Sequence, residues 1–330
     1  MTHSQLTNEM TTVSNPLPAV WIVVLTWNRV DAVMNCVIGL NAIRYPNTYL
    51  VVVDNASEDG TVDRLRRAFP ELVVIANTRN LGYTGGNNVG IEYALRHGAD
   101  YVLLLNNDTL VHPNLIDELV RVAETDPRIA VVGSKNMHMD RRDYLWAAWS
   151  KVTYGVNLTR NYGKNRRDNF RYREVRDVES VVGCGYMWRR SALETVGLLD
   201  TDFFGYHEDV DWCHRARKCG FRVVYVGSAL VYHAGSLSSV ADQPKRMPAM
   251  YFIGRNGVLF VKKHSNYFRL VQLGFAELLG SLKRCIQYRA WKNPTGEIEF
   301  WQGFWDGLRN RNRQLEFQCA SEGELSRPQG

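Results

Sequence analysis

The sequence predicts an α/β protein in which helices flank a mostly parallel central sheet. Short apolar runs such as VWIVVLT and YVLLL are typical of strands that are buried on both faces. Segments with helical spacing of apolar residues separate these runs, and clusters of Asn, Asp or Gly follow several of them. Because parallel strands need crossover connections, the alternation of strand and helix favours a parallel sheet.

Three strand–helix units precede the strand at Tyr101–Leu105. Ser57 can cap the second helix, whose first turns are acidic, as the helix dipole favours. Pro113 can open the helix that follows Tyr101–Leu105. In order, the predicted elements are a strand at 19–26, a helix at 30–40, a strand at 49–53, a helix at 57–69, a strand at 72–76, a loop at 80–88 leading into a helix to 97, the strand at 101–105 and a helix at 113–124.

The tripeptide Asn106-Asn107-Asp108 follows the strand at 101–105. A carboxylate is costly to bury there without a partner, and ligands of open α/β sheets bind at the carboxyl ends of the strands. We therefore predict that Asp108 holds a divalent cation. The alternative is a turn in which these side chains only bond their own backbone.

Two further features of this half suit a nucleotide. Asp54 lies where its strand ends, and its carboxylate can accept a hydrogen bond from a pyrimidine ring N–H. Gly82, Gly85 and Gly86 would let the backbone approach a ligand, and the N–H groups of the following helix start suit a pyrophosphate. The loop is not GxGxxG and follows the third strand, which disfavours a dinucleotide site. The structural alternatives are a helix cap for Asp54 and a turn for the glycines.

The second half carries an acidic cluster and a histidine at a strand end. Strands are predicted at 129–133, 178–190, 221–226 and 229–232. The segment His207–Asp211 opens a helix to Cys219, and its three acids exceed what the helix dipole needs. Asp209 and Asp211 are two residues apart, so on a helix they face different sides. His233 closes the last strand, where a lone histidine is more often structural than functional.

The C-terminal region at 241–330 is predicted to be basic and mostly helical. It has 14 basic and 8 acidic residues, so its net charge of +6 equals that of the whole chain. Helices are predicted at 244–264 and 266–291. In the second, Arg269, Lys283, Arg284 and Arg289 lie along a helix with one apolar face, formed by Phe268, Val271, Phe275, Leu278, Leu279, Leu282 and Ile286.

That apolar face can pack on the α/β domain, pack on another subunit, or lie on an anionic membrane surface. A nucleic-acid partner is disfavoured, because the aromatic residues follow helix periodicity rather than forming a stacking surface. Residues 1–18 are polar and lack the apolar core of a signal peptide, and no uncharged apolar stretch of about 18 residues occurs. We expect a cytoplasmic protein, peripheral on the inner face of the cell membrane if the tail binds lipid.

Seven motifs follow one another in order between Ala19 and Ser236: TWN, VVVDNAS, NLGYTGGNN, YVLLLNND, GCGYMWRR, FFGYHEDVDWC and VYHAG. With these motifs the chain resembles the family 2 glycosyltransferases of GT-A fold, and within them the bacterial branch that contains rhamnosyltransferases of cell-surface polysaccharide synthesis. The expected organisation is a polar tail at 1–18, a GT-A catalytic domain with a Rossmann-like sheet at 19–240, and a helical extension at 241–330. Within the catalytic domain, 19–125 would bind the nucleotide and 126–240 the acceptor.

The resemblance implies inverting transfer of a sugar from a nucleotide-diphosphate donor to a glycan or polyprenyl-linked acceptor, with Mg²⁺ or Mn²⁺ as cofactor. It implies donor-binding roles for Thr26, Asn28, Asp54, Asn80, Gly82, Gly86, Asn88 and Asn107. Asp108 and His233 would bind the metal, and we place Arg255 near the pyrophosphate. Asp209 matches the catalytic base, with Glu208 and Asp211 as alternatives.

Asn106 stands where the broader family motif, Asp-x-Asp, has its first carboxylate. That position would then bond ribose or water rather than supply charge. The expected donor is dTDP-rhamnose, and the alternatives are a UDP-hexose-dependent transferase and a non-catalytic nucleotide- or glycan-binding protein. A pure binding protein would have no need of Asp209 beside Asp108 and His233. The oligomeric state stays open.

Overall fold

The structure, a computed structural model, describes residues 16–234, 249–288 and 294–311. Its first half contains the predicted strand–helix units. Alternate residues of the first strand pack into two apolar cores, one on each face of the sheet. The elements are β1 (Val20–Thr26), α1 (Val30–Leu40), β2 (Thr48–Asp54), α2 (Thr61–Ala68), β3 (Val73–Ala76), α3 (Gly82–Arg96) and β4 (Tyr101–Asn106).

The second half adds further strands to the same sheet and a small sheet beside it. Two short 3₁₀ helices occur in this half, at Phe170–Tyr172 and Thr201–Phe203. The other elements are β5 (Thr109–Val111), α4 (Leu115–Ala123), β6 (Ile129–His138), β7 (Leu145–Ala147), β8 (Trp149–Val152), β9 (Thr159–Asn161), β10 (Val175–Asp177), β11 (Ser180–Val181), β12 (Gly185–Arg189), α5 (Arg190–Val196), α6 (Glu208–Lys218) and β13 (Arg222–His233).

The central sheet is mostly parallel, as the sequence predicts. Its strand order is β10-β13-β6-β12-β4-β1-β2-β3, with β5 paired to β13 and β7 paired to β6. The β1–β2, β1–β4, β2–β3 and β6–β13 pairs are parallel. β12 is antiparallel to both β4 and β6 and thereby joins the two halves of the sheet. β11, β8 and β9 form the small sheet.

Several predicted boundaries are wrong. α2 begins at Thr61 rather than at 57, and Ser57 does not cap it, since its Oγ accepts from the Asn28 N–H at 2.8 Å. The strand predicted at 178–190 is divided into β11 and β12.

α3 begins at Gly82, so most of the segment expected to be a loop at 80–88 is already helix. The two strands expected at 221–226 and 229–232 are one strand, β13, with a register shift against β6 between Val226 and Leu230. Gly227 and Ser228 look like a turn in the sequence, but the irregularity is absorbed within the strand.

The C-terminal region forms α7 (Ala249–His264), α8 (Tyr267–Tyr288) and α9 (Thr295–Leu308). The sequence predicts the first two, although residues 244–248 and 289–291 of the predicted helices lie outside the described residues; α9 was not predicted. Gly303 lets α9 lie against the Tyr251 carbonyl of α7, where any side chain would clash. Apolar residues of the three helices share a core with Phe203 and Val210 of the catalytic domain.

Residues 1–15, most of the predicted polar tail, and the predicted boundary at 240 also lie outside the described residues. In the part of the chain that is described, no helix is long and apolar enough to span a bilayer.

Candidate active site

The register of the parallel strands brings polar residues to one edge of the sheet. Thr26 pairs with Asp54 across β1 and β2, and Leu25 pairs with Asn106 across β1 and β4. The next residue, Asn107, donates from Nδ2 to Thr26 Oγ1 at 3.0 Å. We call the set Thr26, Asp54, Asn106, Asn107 and Asp108 the strand-end corner.

Asp54 has one carboxylate oxygen bound and one without a partner. Oδ2 accepts from the Ser57 backbone N–H at 2.8 Å in the turn before α2, whose N-cap is Gly60, so Asp54 is not the helix cap that the sequence leaves open. Oδ1 is buried and has no hydrogen-bond partner among the described residues. A buried acceptor is costly to leave unpaired, so this oxygen suits an external N–H donor such as a pyrimidine ring.

The other residues predicted around the nucleotide are engaged with the protein itself. Asn28 adopts a positive φ of 48°, and its Oδ1 accepts from the Glu58 backbone at 2.7 Å. Asn80 Oδ1 caps α3 by accepting from the Gly82 backbone at 2.8 Å. Asn55, which sequence reasoning missed, donates to both Asn80 and the Gly82 carbonyl.

The expectation that glycines at the start of α3 make room for a ligand needs correction. A Cβ on Gly82 would lie 2.4 Å from the Phe204 ring, and one on Gly86 would lie 2.4 Å from Leu25. These glycines therefore allow close packing of α3 on its own protein. Gly82 also has a φ of +72°, which disfavours any other residue there.

Asn88 and Arg255 do not lie where contacts with the nucleotide-sugar donor are expected. Asn88 donates to the Leu199 carbonyl and accepts from its N–H, at 2.8 and 3.1 Å, so both ends of its amide are used. Arg255 is buried and donates to the Asp202 carbonyl at 2.7 Å and to Asn256 Oδ1 at 2.9 Å. Both side chains hold the fold together, which corrects the expectation that they bind the nucleotide or pyrophosphate.

Asp108 and His233 meet although 125 residues separate them in the chain. Asp108 Oδ1 lies 3.1 Å from His233 Nε2, and the Asn106 amide nitrogen lies 3.4 Å from the same ring nitrogen. The β5–β13 pairing brings His233 opposite Thr109, directly after Asp108. Burial lowers the pKa of the His233 imidazole, but Cys184 and Asp108 outweigh it and raise that pKa to about 11.

An imidazolium cannot bind a metal, so a cation would have to displace the His233 proton. The carboxylate oxygen and the ring nitrogen freed in this way lie 3.1 Å apart, a spacing that fits a divalent transition cation such as Mn²⁺. Asp108 is partly exposed, so the pair is open to ligands. In the described residues no group of three or more His, Cys, Asp or Glu side chains is arranged so that it could hold a metal ion by itself. A cation held by Asp108 and His233 would therefore need additional oxygen ligands, such as those of a diphosphate.

Asp209 and Glu208 begin α6 and form, with Gly183, a second site that we call the acidic corner. Asp209 Oδ2 accepts from the Gly183 backbone at 3.0 Å and Oδ1 from the Val210 backbone at 2.8 Å. A Cβ on Gly183 would lie 3.2 Å from Asp209 Oδ2, so a residue without a side chain suits this approach. Glu208 is buried, and its Oε2 has no partner among the described residues.

Burial raises the pKa values of the two carboxyl groups in the acidic corner by different amounts. It raises the pKa of Asp209 to about 6, although backbone N–H donors oppose it. Burial and the neighbouring Asp209 raise the pKa of Glu208 to about 8. At neutral pH, Asp209 is then mostly ionised and Glu208 mostly protonated, and only an ionised carboxylate can accept a proton.

Asp211 faces a different side of α6 from Asp209, as predicted from its spacing. It is fully buried between His264, at 2.6 Å, and Arg215, at 2.8 Å. Burial raises the pKa of the Asp211 carboxyl, but His264 and Arg215 outweigh it and lower the net value. Asp211 ties α6 to α7, and this correction removes it as an alternative base.

Tyr83, in the first turn of α3, connects the two corners. Its hydroxyl lies 3.2 Å from the Gly183 carbonyl and 3.4 Å from Asn106 Oδ1. Asn106 in turn contacts His233, and the Gly183 N–H is bound to Asp209. Sequence reasoning missed Tyr83 because an aromatic residue in a glycine-rich segment gives no sign of its distant partners.

The segment before α6 has an unusual backbone. Phe204, Tyr206 and His207 have φ values of 59°, 68° and 68°, a left-handed conformation that is costly for residues other than glycine. Asn256 of α7 holds this segment, because its Nδ2 lies 2.7 Å from the carbonyl oxygens of Phe203 and Gly205 and 2.9 Å from that of Tyr206. We call residues 203–207 the left-handed segment.

A mostly parallel sheet with a carboxylate–imidazole pair at its strand ends, an acidic helix start nearby and a helical extension defines a glycosyltransferase of GT-A fold. The sequence profile of the family described as "Glycosyltransferase like family 2" matches residues 18–252. The chain belongs to this family, and it is a glycosyltransferase.

Curated relatives support the same class. The chain is 29% identical over 241 residues to an N-acetylglucosaminyl-diphospho-decaprenol L-rhamnosyltransferase of Mycobacterium tuberculosis, covering 67% of this chain and 76% of the relative. It is 24% identical over 251 residues to a dTDP-rhamnosyl transferase of Shigella flexneri, covering 74% and 80%.

Solved structures share the fold. A mannosyltransferase of Pyrobaculum calidifontis in complex with GDP-Man and Mn²⁺ aligns with a TM-score of 0.55 and 17% identity, over 89% of this chain and 88% of that one. GalNAc-T7 with UDP, GalNAc and Mn²⁺ aligns with a TM-score of 0.62 and 13% identity, over 94% and 59%.

Proposed function

We propose that this glycosyltransferase moves a sugar from a nucleotide-diphosphate donor to a lipid-linked or glycan acceptor hydroxyl, with inversion at the anomeric carbon and a divalent cation. The best candidate donor is dTDP-rhamnose, and the setting is cell-surface polysaccharide synthesis. The observation that carries the proposal is the pair of corners joined by Tyr83, one suited to bind a donor and one to accept a proton.

The strand-end corner would bind the donor. Asp54 Oδ1, buried without a partner, would accept from the N–H of a pyrimidine ring. Thr26 lies one strand away from Asp54, and Asn107 follows the strand beyond it; the two are already bonded to each other and would line the ribose side. Asn106 would contribute an amide rather than a charge.

Asp108 and His233 would hold the cation, which when bound neutralises the charge that develops on the leaving diphosphate. The GDP-Man and UDP complexes of the structural neighbours both contain Mn²⁺, which supports Mn²⁺ or Mg²⁺ here. Imidazole is a better ligand for Mn²⁺ than for Mg²⁺, so the donor set favours manganese.

Asp209 would act as the general base. An acceptor hydroxyl is a very weak acid at neutral pH, so it must lose its proton as it attacks. Two backbone N–H groups fix the Asp209 carboxylate, and its pKa of about 6 leaves it ionised at neutral pH. Attack on the face opposite the leaving group needs no second carboxylate nucleophile, so the configuration would invert.

The rhamnosyl specificity rests on the two named relatives, one a dTDP-rhamnosyl transferase and the other acting on a diphospho-decaprenol-linked sugar. A UDP-hexose donor is the second candidate. A non-catalytic binding role is disfavoured, because binding alone would not need an ionised carboxylate held in the acidic corner.

Product analysis on the full chain tests the proposal. dTDP-rhamnose, UDP-glucose and UDP-N-acetylglucosamine are each incubated with Mn²⁺ and a short-chain polyprenyl-diphosphate-linked N-acetylglucosamine, and the products are followed by mass spectrometry. We expect a mass gain of one deoxyhexose with dTDP-rhamnose. A hexose gain from a UDP donor alone would move the assignment to the second candidate, and thermal stabilisation by nucleotides without any transfer would support a binding protein.

A further inference from the structure

The outer face of α8 is an apolar surface exposed to solvent. We define it by Phe268, Val271, Phe275, Leu278, Leu282 and Ile286. Their exposed fractions run from 49% for Leu278 to 78% for Ile286. Helices of globular proteins normally turn such a stripe toward the core, and large contiguous apolar patches on a protein surface mark interaction sites.

The opposite face of α8 already packs on the protein. Leu273 is buried with Phe300 and Phe304 of α9. Glu277 is buried and accepts from the Asn157 backbone N–H. The outer face is thus not the docking face, so among the described residues the first of the three alternatives, packing on the catalytic domain, does not hold for these apolar side chains.

The charged residues that flank the outer face on α8 itself are basic. Lys283 is exposed and Arg269 is partly exposed, and both lie on the same flank of α8. Glu277, the only acidic residue between 267 and 288, is turned inward. A second copy of this face would offer no acidic partner to the basic flank, whereas anionic lipid headgroups would.

Two further aromatic residues of the C-terminal helices are exposed. Tyr267, at the start of α8, is 79% exposed, and Trp305 of α9 is 52% exposed. Trp305 lies one helical turn from Trp301, whose indole donates to Ser281 of α8 at 3.1 Å. Tyr and Trp favour the boundary between water and hydrocarbon, where an apolar ring and a polar tip are both satisfied.

We propose that α8 lies flat on an anionic lipid bilayer through its outer face, with the basic flank at the headgroups. From Phe268 to Ile286 the stripe is about 27 Å long at the rise of an α-helix, so it would lie along the surface rather than cross it. The biological purpose rests on the proposed function, because a polyprenyl-linked acceptor would be held in that same surface.

Vesicle co-sedimentation of the full-length protein tests the proposal. Vesicles of phosphatidylglycerol and phosphatidylcholine are compared with vesicles of phosphatidylcholine alone. The test variant carries Phe268→Ser, Phe275→Ser and Ile286→Ser, all at exposed positions. Its matched control is Phe170→Ser, since Phe170 is 70% exposed and Phe268 is 71% exposed. Lys283→Glu is compared with Lys164→Glu, a substitution at another exposed lysine.

We expect the wild type to pellet with the anionic vesicles, and less so at high salt. The triple variant should lose about tenfold or more in vesicle affinity, since it removes three large apolar side chains. Lys283→Glu should lose a few-fold, and the two controls should match the wild type.

Equal pelleting of the triple variant and the wild type, or no pelleting by either, would overturn the proposal. So would a wild-type dimer in sedimentation velocity that the triple variant abolishes without any vesicle binding, because the face would then join two copies. The assay contains no nucleotide sugar, so its failure leaves the proposed transfer reaction untouched, and a failed transfer assay leaves the membrane contact untouched.

Discussion

The strand-end corner and the acidic corner lie in the same domain but are held in place differently. The first comes from neighbouring strands in register, so that Thr26, Asp54 and Asn107 meet at one edge through the sheet itself. The second depends on α7, which follows it in the chain by some 50 residues. Asn256 bonds the left-handed segment that precedes α6, and His264 bonds Asp211 of α6.

This difference has a functional consequence. A corner built by strand register should keep its ligand affinity when a distant helix is disturbed. A corner held by side chains of a separate helix should lose its geometry first, and with it the rate of the chemical step. Substitutions in the acidic corner and in α7 should therefore affect turnover more than donor binding.

The largest effect is expected from Asp209→Asn. The amide keeps the shape but cannot accept the proton, so kcat should fall by about 10²–10⁴, while calorimetry shows unchanged donor affinity. Asp63→Asn, at an exposed acid in the first turn of α2, is the control and should be silent. A kcat within a few-fold of wild type would place the base elsewhere.

The second-largest effect is expected from Asn256→Ala. It removes the donor that holds three carbonyl oxygens of the left-handed segment. We expect a loss of stability of about 1–3 kcal/mol and a fall in kcat of about 10–10², with donor affinity retained. Thermal melts and steady-state kinetics check both, beside Asn41→Ala at an exposed site. Lower donor affinity with normal kcat would mean that α7 supports the strand-end corner instead.

The pH dependence of kcat/KM sharpens the same comparison. A pKa of Asp209 raised from 3.8 to about 6 means that the base takes up a proton, and stops working, at a higher pH than an ordinary aspartate. The rate should fall about tenfold for each unit below that pKa. An acid limb near 4 would show that Asp209 is not buried in the working enzyme.

Tyr83→Phe should have the smallest effect. The hydroxyl joins Gly183 to Asn106, and its loss removes two long hydrogen bonds, so we expect kcat to fall about 2–10-fold. The matched control is Tyr49→Phe, an exposed tyrosine on β2. If Tyr83→Phe behaves like that control, the corners act independently of this contact.

The sequence allows the strand-end corner to be predicted because each of its residues follows a buried strand. Apolar runs locate β1, β2 and β4, and the ends of parallel strands meet at one edge. The same logic failed for Gly82 and Gly86, because close packing of a helix and close approach of a ligand require the same residue type.

The acidic corner could be only half predicted. The local spacing of Asp209 and Asp211 shows that they face different sides, but not which side holds a partner. His264, Gly183 and Asn256 reach this corner from elsewhere in the chain, and a single sequence carries no periodic signal for such contacts. Arg255 illustrates the reverse error, since a charged residue near the site proved to be a buried structural contact.

The most direct test of the account is calorimetric titration of dTDP and UDP, with and without Mn²⁺, into the wild type, Asp108→Ala and Asp209→Asn. We expect Mn²⁺ to tighten nucleotide binding in the wild type and in Asp209→Asn, and Asp108→Ala to lose this gain because His233 is left without its carboxylate partner. An undiminished Mn²⁺-dependent gain in Asp108→Ala, or its loss in Asp209→Asn, would contradict the division of the site into a donor corner and a base corner.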